Sequence, residues 1–289
     1  MLNKILSAGL ILLFAISAVS FAQSLDGSRY TPGKDANIDM FMGSWKDSTP
    51  RHTHGSLIER NILTKGDNIN PTAKGAVLKY TNRYVHATLE ANSSTTPTTL
   101  NGEQEVFYFL SGKGTIKAGR KTEEVSAGFA VLMPEKLKFT ISNTGDEPLT
   151  MYLISEAVPE GFKPNKNMLV KDENSMPISG TTGHWAHIVK RLFEKPDGLA
   201  TLYSVLTVAQ DPMTIGHPHS HDPGCEEIWT AIKGTSIAFL GKQIRMQPPG
   251  TAYNIPPDSK TPHCNINKGE EQIKLFYFSV RKDIDGTGI

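Results

Sequence analysis

Glu105-Val-Phe-Tyr-Phe-Leu-Ser-Gly112 and Glu227-Ile-Trp-Thr-Ala-Ile-Lys-Gly234 are two versions of one segment, 122 residues apart. Each begins with a carboxylate, runs through apolar, β-branched and aromatic residues, and closes on a glycine, as a strand entering a turn does. The match extends outward at the same offset, where Gly128-Phe-Ala-Val-Leu-Met-Pro134 aligns with Gly250-Thr-Ala-Tyr-Asn-Ile-Pro256. After a two-residue insertion, Phe139-Thr-Ile-Ser-Asn143-Thr-Gly145 aligns with His263-Cys-Asn-Ile-Asn267-Lys-Gly269. Both copies end in an apolar strand, Leu149 to Ile154 and Ile273 to Phe278. Three blocks repeated in the same order identify two copies of one domain.

The rest of each copy is a series of short β-branched and aromatic runs punctuated by Gly, Pro, Asn and Asp. Long helical periodicity is absent, with one short helix expected around His184 to Phe193. Many short strands with frequent turns predict an all-β chain of antiparallel barrels. The copies span 76–157 and 183–282, joined by a Pro-, Gly- and charge-rich connector at 158–182, with a short tail at 283–289. Residues 23–75 read as an arm that packs on the two domains.

Residues 1–22 read as an export signal. Lys4 precedes an apolar run from Ile5 to Val19, and Ser20-Phe21-Ala22 supplies the small-x-small cleavage pattern. Cleavage is expected after Ala22, giving a periplasmic or secreted protein. The whole chain has 30 basic and 29 acidic residues, so loss of Lys4 leaves 29 against 29. A neutral chain without a basic block argues against nucleic acid and anionic membrane surfaces as partners. The leader run is too short to span a bilayer, and no other apolar stretch approaches that length. Two cysteines in 289 residues exclude a disulfide-held scaffold.

The densest chemistry is Gly216-His217-Pro218-His219-Ser220-His221, followed by Glu226-Glu227 and later His263. Residues two apart on a strand share a face, so His219 and His221 aim two imidazoles at one point. A barrel floor can add the Glu227 carboxylate and the His263 imidazole. Three neutral imidazoles and a carboxylate suit one divalent transition metal, Fe, Mn, Zn or Ni. Such an ion keeps positions for water or substrate. His217 reads equally as a polar rim group or a solvated loop residue. His52-Thr-His54 is a second His-x-His with no supporting motif, and His52, His54, His86, His184 and His187 read as structural.

This constellation resembles the cupin superfamily. Its first motif, His-x-His, a gap, Glu, six residues, Gly, is met by His219-Ser-His221, Glu227 and Gly234. Its second, Pro-x-Gly leading to His, three residues and Asn, is met by Pro248-Pro-Gly250 and His263-Cys-Asn-Ile-Asn267. The gap from His221 to Glu227 is longer than the family's, as is the loop from Gly250 to His263. The longer gap leaves Glu226 as a rival ligand. Strand register from Glu227 to Gly234 favours Glu227, since a one-residue slip turns the carboxylate to the other face. The resemblance implies a bicupin, two double-stranded β-helix barrels with one metal in the second, pairing into a homodimer through barrel edges.

In the first copy the offset puts Pro97 and Thr99 at the places of His219 and His221, and Phe139 at that of His263; only Glu105 keeps its counterpart. One carboxylate does not hold a transition metal firmly. Cys225 and Cys264 adjoin expected ligands, so either a disulfide clamps the site or both are buried thiols. Tyr253, Glu226 and Arg245 are the candidates for catalysis: Tyr253 and Glu226 for acid/base work, Arg245 to grip a substrate carboxylate. Trp229 shares the face of Glu227 as core or stacking residue.

Cupins resembling this chain include uronate- and acid-lyase types. The expected function is therefore a metal enzyme acting on a small carboxylated or polyhydroxylated molecule, such as a uronate-containing sugar, by elimination, dehydration or isomerisation. A metal chelating carboxylate and hydroxyl would acidify the neighbouring C–H for a base to remove. The same ligand set serves an Fe or Mn dioxygenase or decarboxylase, and a third reading is a non-catalytic metal- or sugar-binding protein.

Overall fold

A computed structural model describes residues 31–179 and 185–282. The expected export signal, His184 and the 283–289 tail lie outside the described residues. The arm contributes β1 (Met42–Ser44), β2 (Arg51–Thr53) and β3 (Leu57–Lys65), and β4 (Ala76–Leu78) opens the first repeat. The first repeat supplies β5 (Thr81–Leu89), β6 (Glu103–Ser111), β7 (Lys113–Ala118), β8 (Lys121–Ser126), β9 (Phe129–Met133), β10 (Phe139–Asn143) and β11 (Leu149–Ala157). The connector adds β12 (Leu169–Asp172). The second repeat supplies β13 (His187–Glu194), β14 (Ser204–Gln210), β15 (Thr214–Ile215), β16 (Cys225–Lys233), β17 (Ser236–Leu240), β18 (Gln243–Gln247), β19 (Thr251–Asn254), β20 (His263–Asn267) and β21 (Ile273–Arg281). The helix expected around His184 to Phe193 is instead the strand β13, because its side chains alternate against β14 from His187↔Gln210 to Glu194↔Ser204.

Each repeat is a pair of antiparallel sheets. The large sheets run β12-β9-β6-β11-β5-β3-β2 in the first half and β1-β19-β16-β21-β14-β13 in the second. The small ones run β10-β7-β8 and β15-β20-β17-β18. The large sheets correspond strand for strand in their order, with β3 in the place of β13 and the connector strand β12 in that of the arm strand β1. The arm is thus part of both sheets: β3 pairs with β5, while β1 pairs with β19 through Met42↔Tyr253.

One apolar cluster fills the first barrel around Phe107, Phe109, Phe139 and Leu153, and a smaller one lies in the second around Leu240, Tyr253 and Leu275. The largest lies between them, where Tyr84, Tyr108, Tyr152, Phe276 and Phe278 stack across the interface. Reciprocal carboxylates lock this interface. Glu226 accepts the backbone N–H groups of Lys79, Tyr80 and Thr81 just before β5. Glu156 accepts those of Ala200, Thr201 and Leu202 before β14, the equivalent loop of the other repeat. The two carboxylates stand on opposite members of the same cross-strand pair, Gln104↔Glu156 in one barrel and Glu226↔Val280 in the other. Glu173 of the connector adds a third lock, accepting from Tyr108, Thr207 and Lys274.

Candidate metal centre

β16 carries Glu227 and β20 carries His263, while His219 and His221 lie on the loop that enters β16. An isolated bridge ties that loop down: His263 N–H donates to the His219 carbonyl at 2.8 Å, and His219 N–H returns at 3.3 Å. Gly216 opens the loop at a point where a Cβ would fall 2.7 Å from the His187 ring. The four candidate ligand atoms lie within 4.8 Å of one another, and all but His219 are buried. Nε2 of His221 is 3.0 Å from one Glu227 oxygen and Nε2 of His263 is 3.1 Å from the other. Glu226 faces the opposite side of β16, as alternation requires.

These residues fit a transition metal. His219 Nδ1 is 2.9 Å from the His217 carbonyl. That bond takes the ring proton and leaves the Nε2 lone pair for the centre. Burial brings the His219 pKa down to about 4 and, against the pull of Glu227, also lowers that of His263, so both rings are neutral near pH 7. His221 Nε2 is buried beside the Glu227 carboxylate and faces the other candidate ligands. Burial raises the Glu227 pKa, but His221 and then His263 outweigh it and hold the carboxylate ionised, well below its usual range. Trp229 Nε1 donates to one Glu227 oxygen at 2.8 Å and the Tyr277 hydroxyl to the other at 3.0 Å, which orients the carboxylate.

The cluster opens into a cavity of about 480 Å³. His187, Val189 and Arg191 line it from β13, Ser204, Leu206 and Val208 from β14. Arg281, at the end of β21, reaches in beside the cluster, its Nη1 3.1 Å from His221 Nδ1 and 3.6 Å from Glu227. His217 also lines the cavity, its ring stacked on His219 at 5.7 Å between centroids.

The three catalytic candidates named from sequence do not line this cavity. Glu226 is wholly buried on backbone amides across the barrel interface. Tyr253 points inward as expected, but its hydroxyl donates to Asn265 at 2.7 Å in a polar barrel interior, and burial pushes its pKa well above 10. Arg245 is spent on Asp39 of the arm, at 2.8 and 3.0 Å. The groups that sequence reasoning missed are Arg281, Arg191 and Tyr277. Arg281 follows Ser279 by two residues and so shares the face of Tyr277, and the His187-Val189-Arg191 alternation was hidden by the helical reading. No disulfide joins the cysteines: both are buried thiols, and burial lifts Cys264 to about 11.

The first barrel is built on the same frame with different contents. Thr98 pairs with Phe139 as His219 pairs with His263. The true counterparts of His219 and His221 are therefore Thr98 and Leu100, one residue beyond Pro97 and Thr99, because the second repeat has one extra residue before Glu227. Glu105 receives Arg83 Nη2 at 2.5 Å, and His54 Nε2 of the arm lies 3.2 Å from its other oxygen. Arg83 also lies 3.6 Å from the buried Glu59.

Comparison with known proteins finds cupin likenesses for this frame. Residues 85–155 match the Cupin_2 family, described as cupin domain. These residues are similar to a cupin domain. The matched stretch is the repeat without the imidazoles, so the His/Glu cluster lies in the cupin-like half beyond the matched residues. Among solved structures, the chain is similar to the putative glyoxylate-induced protein from Pseudomonas aeruginosa, with TM-score 0.66, 13% identity, and coverage of 87% of this chain and 95% of that one. Protein Ylba from E. coli, of family DUF861, gives TM-score 0.63 at 14% identity over 91% and 99%. A single-residue variant of Bacillus subtilis oxalate decarboxylase gives 0.62 at 11% over 86% and 78%. At such identities the likeness is one of cupin fold. No curated protein sequence matches the chain.

Proposed function

We propose that this protein is an exported bicupin enzyme that binds one divalent transition metal through His219, His221, Glu227 and His263, and acts there on a small carboxylate. The observation that carries the reading is a buried three-imidazole, one-carboxylate cluster that opens onto a cavity with the Arg281 guanidinium at its edge. A bound metal would supply Lewis acidity at a chelated carboxylate and its neighbouring oxygen. Arg281 binds the second carboxylate oxygen by a charge-assisted bond. Tyr277 and Trp229 hold Glu227 in its orientation. With Tyr253 and Glu226 placed elsewhere, His217 and His187 are the cavity imidazoles outside the ligand set, and His217, stacked on His219, is the proton carrier for elimination, dehydration or isomerisation. Of the expected substrate, a uronate-type sugar, the carboxylate is the part that the cavity supports.

The second reading, decarboxylation or oxygenation by Fe or Mn, is favoured by one observation: the two side chains first expected to move a proton are outside the cavity. Assay of metal-loaded protein against a panel of carboxylates, with dissolved oxygen and carbon dioxide followed beside product, separates the two. Elimination or isomerisation predicts product without oxygen uptake or carbon dioxide release. Arg281→Ala is expected to raise KM about 10- to 100-fold at unchanged metal content, the loss of one charged hydrogen bond. Unchanged KM in that variant would contradict carboxylate binding at Arg281. A ligand bound with no turnover across the panel would point to a binding protein.

A further inference from the structure

The cavity is far longer than a two-carbon acid, and its walls change character along their length. Ser204 is level with Glu227, since both pair with Ser279. From Ser204 the β14 side of the cavity continues through Leu206 to Val208, four residues or roughly 13 Å of strand. Val208 faces Val189 of β13 across the sheet register, so this far wall is aliphatic. At the mouth, Trp185 is 63% exposed and lies against the His217 ring at 5.0 Å, while Tyr203, 38% exposed, lines the cavity. The metal-binding candidates and Arg281 therefore gather at one end, while the rest of the cavity is aliphatic and aromatic surface edged by Arg191 beside Leu206 and by His187 beyond Val189.

We infer that the substrate is a carboxylate with an apolar ring as its body: the carboxylate lies at the Arg281 end, and the ring lies against Leu206 and Val208 under the Trp185–His217 rim. A polyhydroxylated body would lay hydroxyls against the Val189, Leu206 and Val208 side chains, which offer no hydrogen bond, at a cost that an apolar ring does not incur. A two-carbon diacid would leave most of the 480 Å³ unfilled. An exposed tryptophan at a cavity mouth offers a face for the ring to stack on. This inference rests on the carboxylate reading of the same site and sharpens it.

The test uses the metal-loaded full protein and three probes that share a carboxylate: acetate, glucuronate and phenylacetate. Calorimetric titration is expected to show phenylacetate binding about tenfold or more tighter than either other probe, through the buried ring area. Its addition is also expected to perturb fluorescence from Trp185, the largely exposed one of three tryptophans. Trp185→Ala and the nearly isosteric Val208→Thr should each shrink the phenylacetate advantage while leaving acetate affinity as it is. Equal or tighter binding of glucuronate, or an advantage that survives both variants, overturns the inference and leaves the carboxylate reading standing. If acetate and both larger probes fail to bind, the carboxylate reading itself is wrong and this inference falls with it.

Discussion

Glu105 and Glu227 occupy the same position on corresponding strands of two barrels with the same strand order, both buried, at 0% and 3% exposure. What neutralises each of them differs. Glu227 is met by His221 and His263 at about 3 Å, with His219 completing the cluster. Glu105 is met by a guanidinium, that of Arg83. A buried carboxylate must have a counter-charge or lose its charge, and the two barrels meet this demand in different ways. The register shows how: Arg83 pairs with Ser155, which pairs with Glu105, just as Ser204 pairs with Ser279, which pairs with Glu227. Where the first barrel has an arginine, the second has a serine facing a cavity. In the first barrel the guanidinium fills the site; in the second, Arg281 stands at the edge, 3.6 Å from Glu227, and the imidazoles face a cavity with room for an ion. In the first barrel Thr98, Leu100 and Phe139 stand at the imidazole positions, and Arg83 and His54 take the carboxylate.

Removing Arg83 should break the comparison most strongly. Arg83→Met removes the cation that the buried Glu105 and Glu59 share, leaving Glu59 on Arg51 and Glu105 beside His54, at an expected loss of about 3 kcal/mol of stability, read by denaturant unfolding, with metal content unaltered. A loss below 1 kcal/mol would show that the guanidinium is not what holds the first site closed. The interface carboxylates give a smaller effect and test whether Glu226 is structural. In Glu226→Gln the new amide turns a donor toward backbone N–H groups that the carboxylate satisfied, so about 1–3 kcal/mol per unmatched group is expected. Glu156→Gln should behave alike, as its counterpart across the interface. If Glu226→Gln instead abolished turnover at unchanged stability, Glu226 would return as a catalytic residue.

The repeat, the barrel class and the grouping of the four metal-binding candidates were legible because they are local. Strand patterns, turn glycines and a His-x-His spacing survive in sequence, and alternation alone separates Glu227 from Glu226. What was not legible depends on docking between distant segments. Nothing near Arg245 in the chain says that Asp39 of the arm will claim it, and nothing near His54 says that β2 and β3 will carry it to Glu105. Tyr253 faces inward as its position suggests, yet its hydroxyl is taken by Asn265 on a strand that also brings His263. The helical reading of 187–194 failed for a related reason: pairing with β14 overrides a weak local preference. It concealed Arg191 and the aliphatic wall with it.

The most direct test of the account is elemental analysis of the purified full chain after metal reconstitution, beside the His219→Ala/His221→Ala variant. The two-barrel comparison predicts about one transition-metal ion per chain in the native protein and none in the variant. No metal in the native protein, a second ion per chain, or an ion retained by the variant would contradict it.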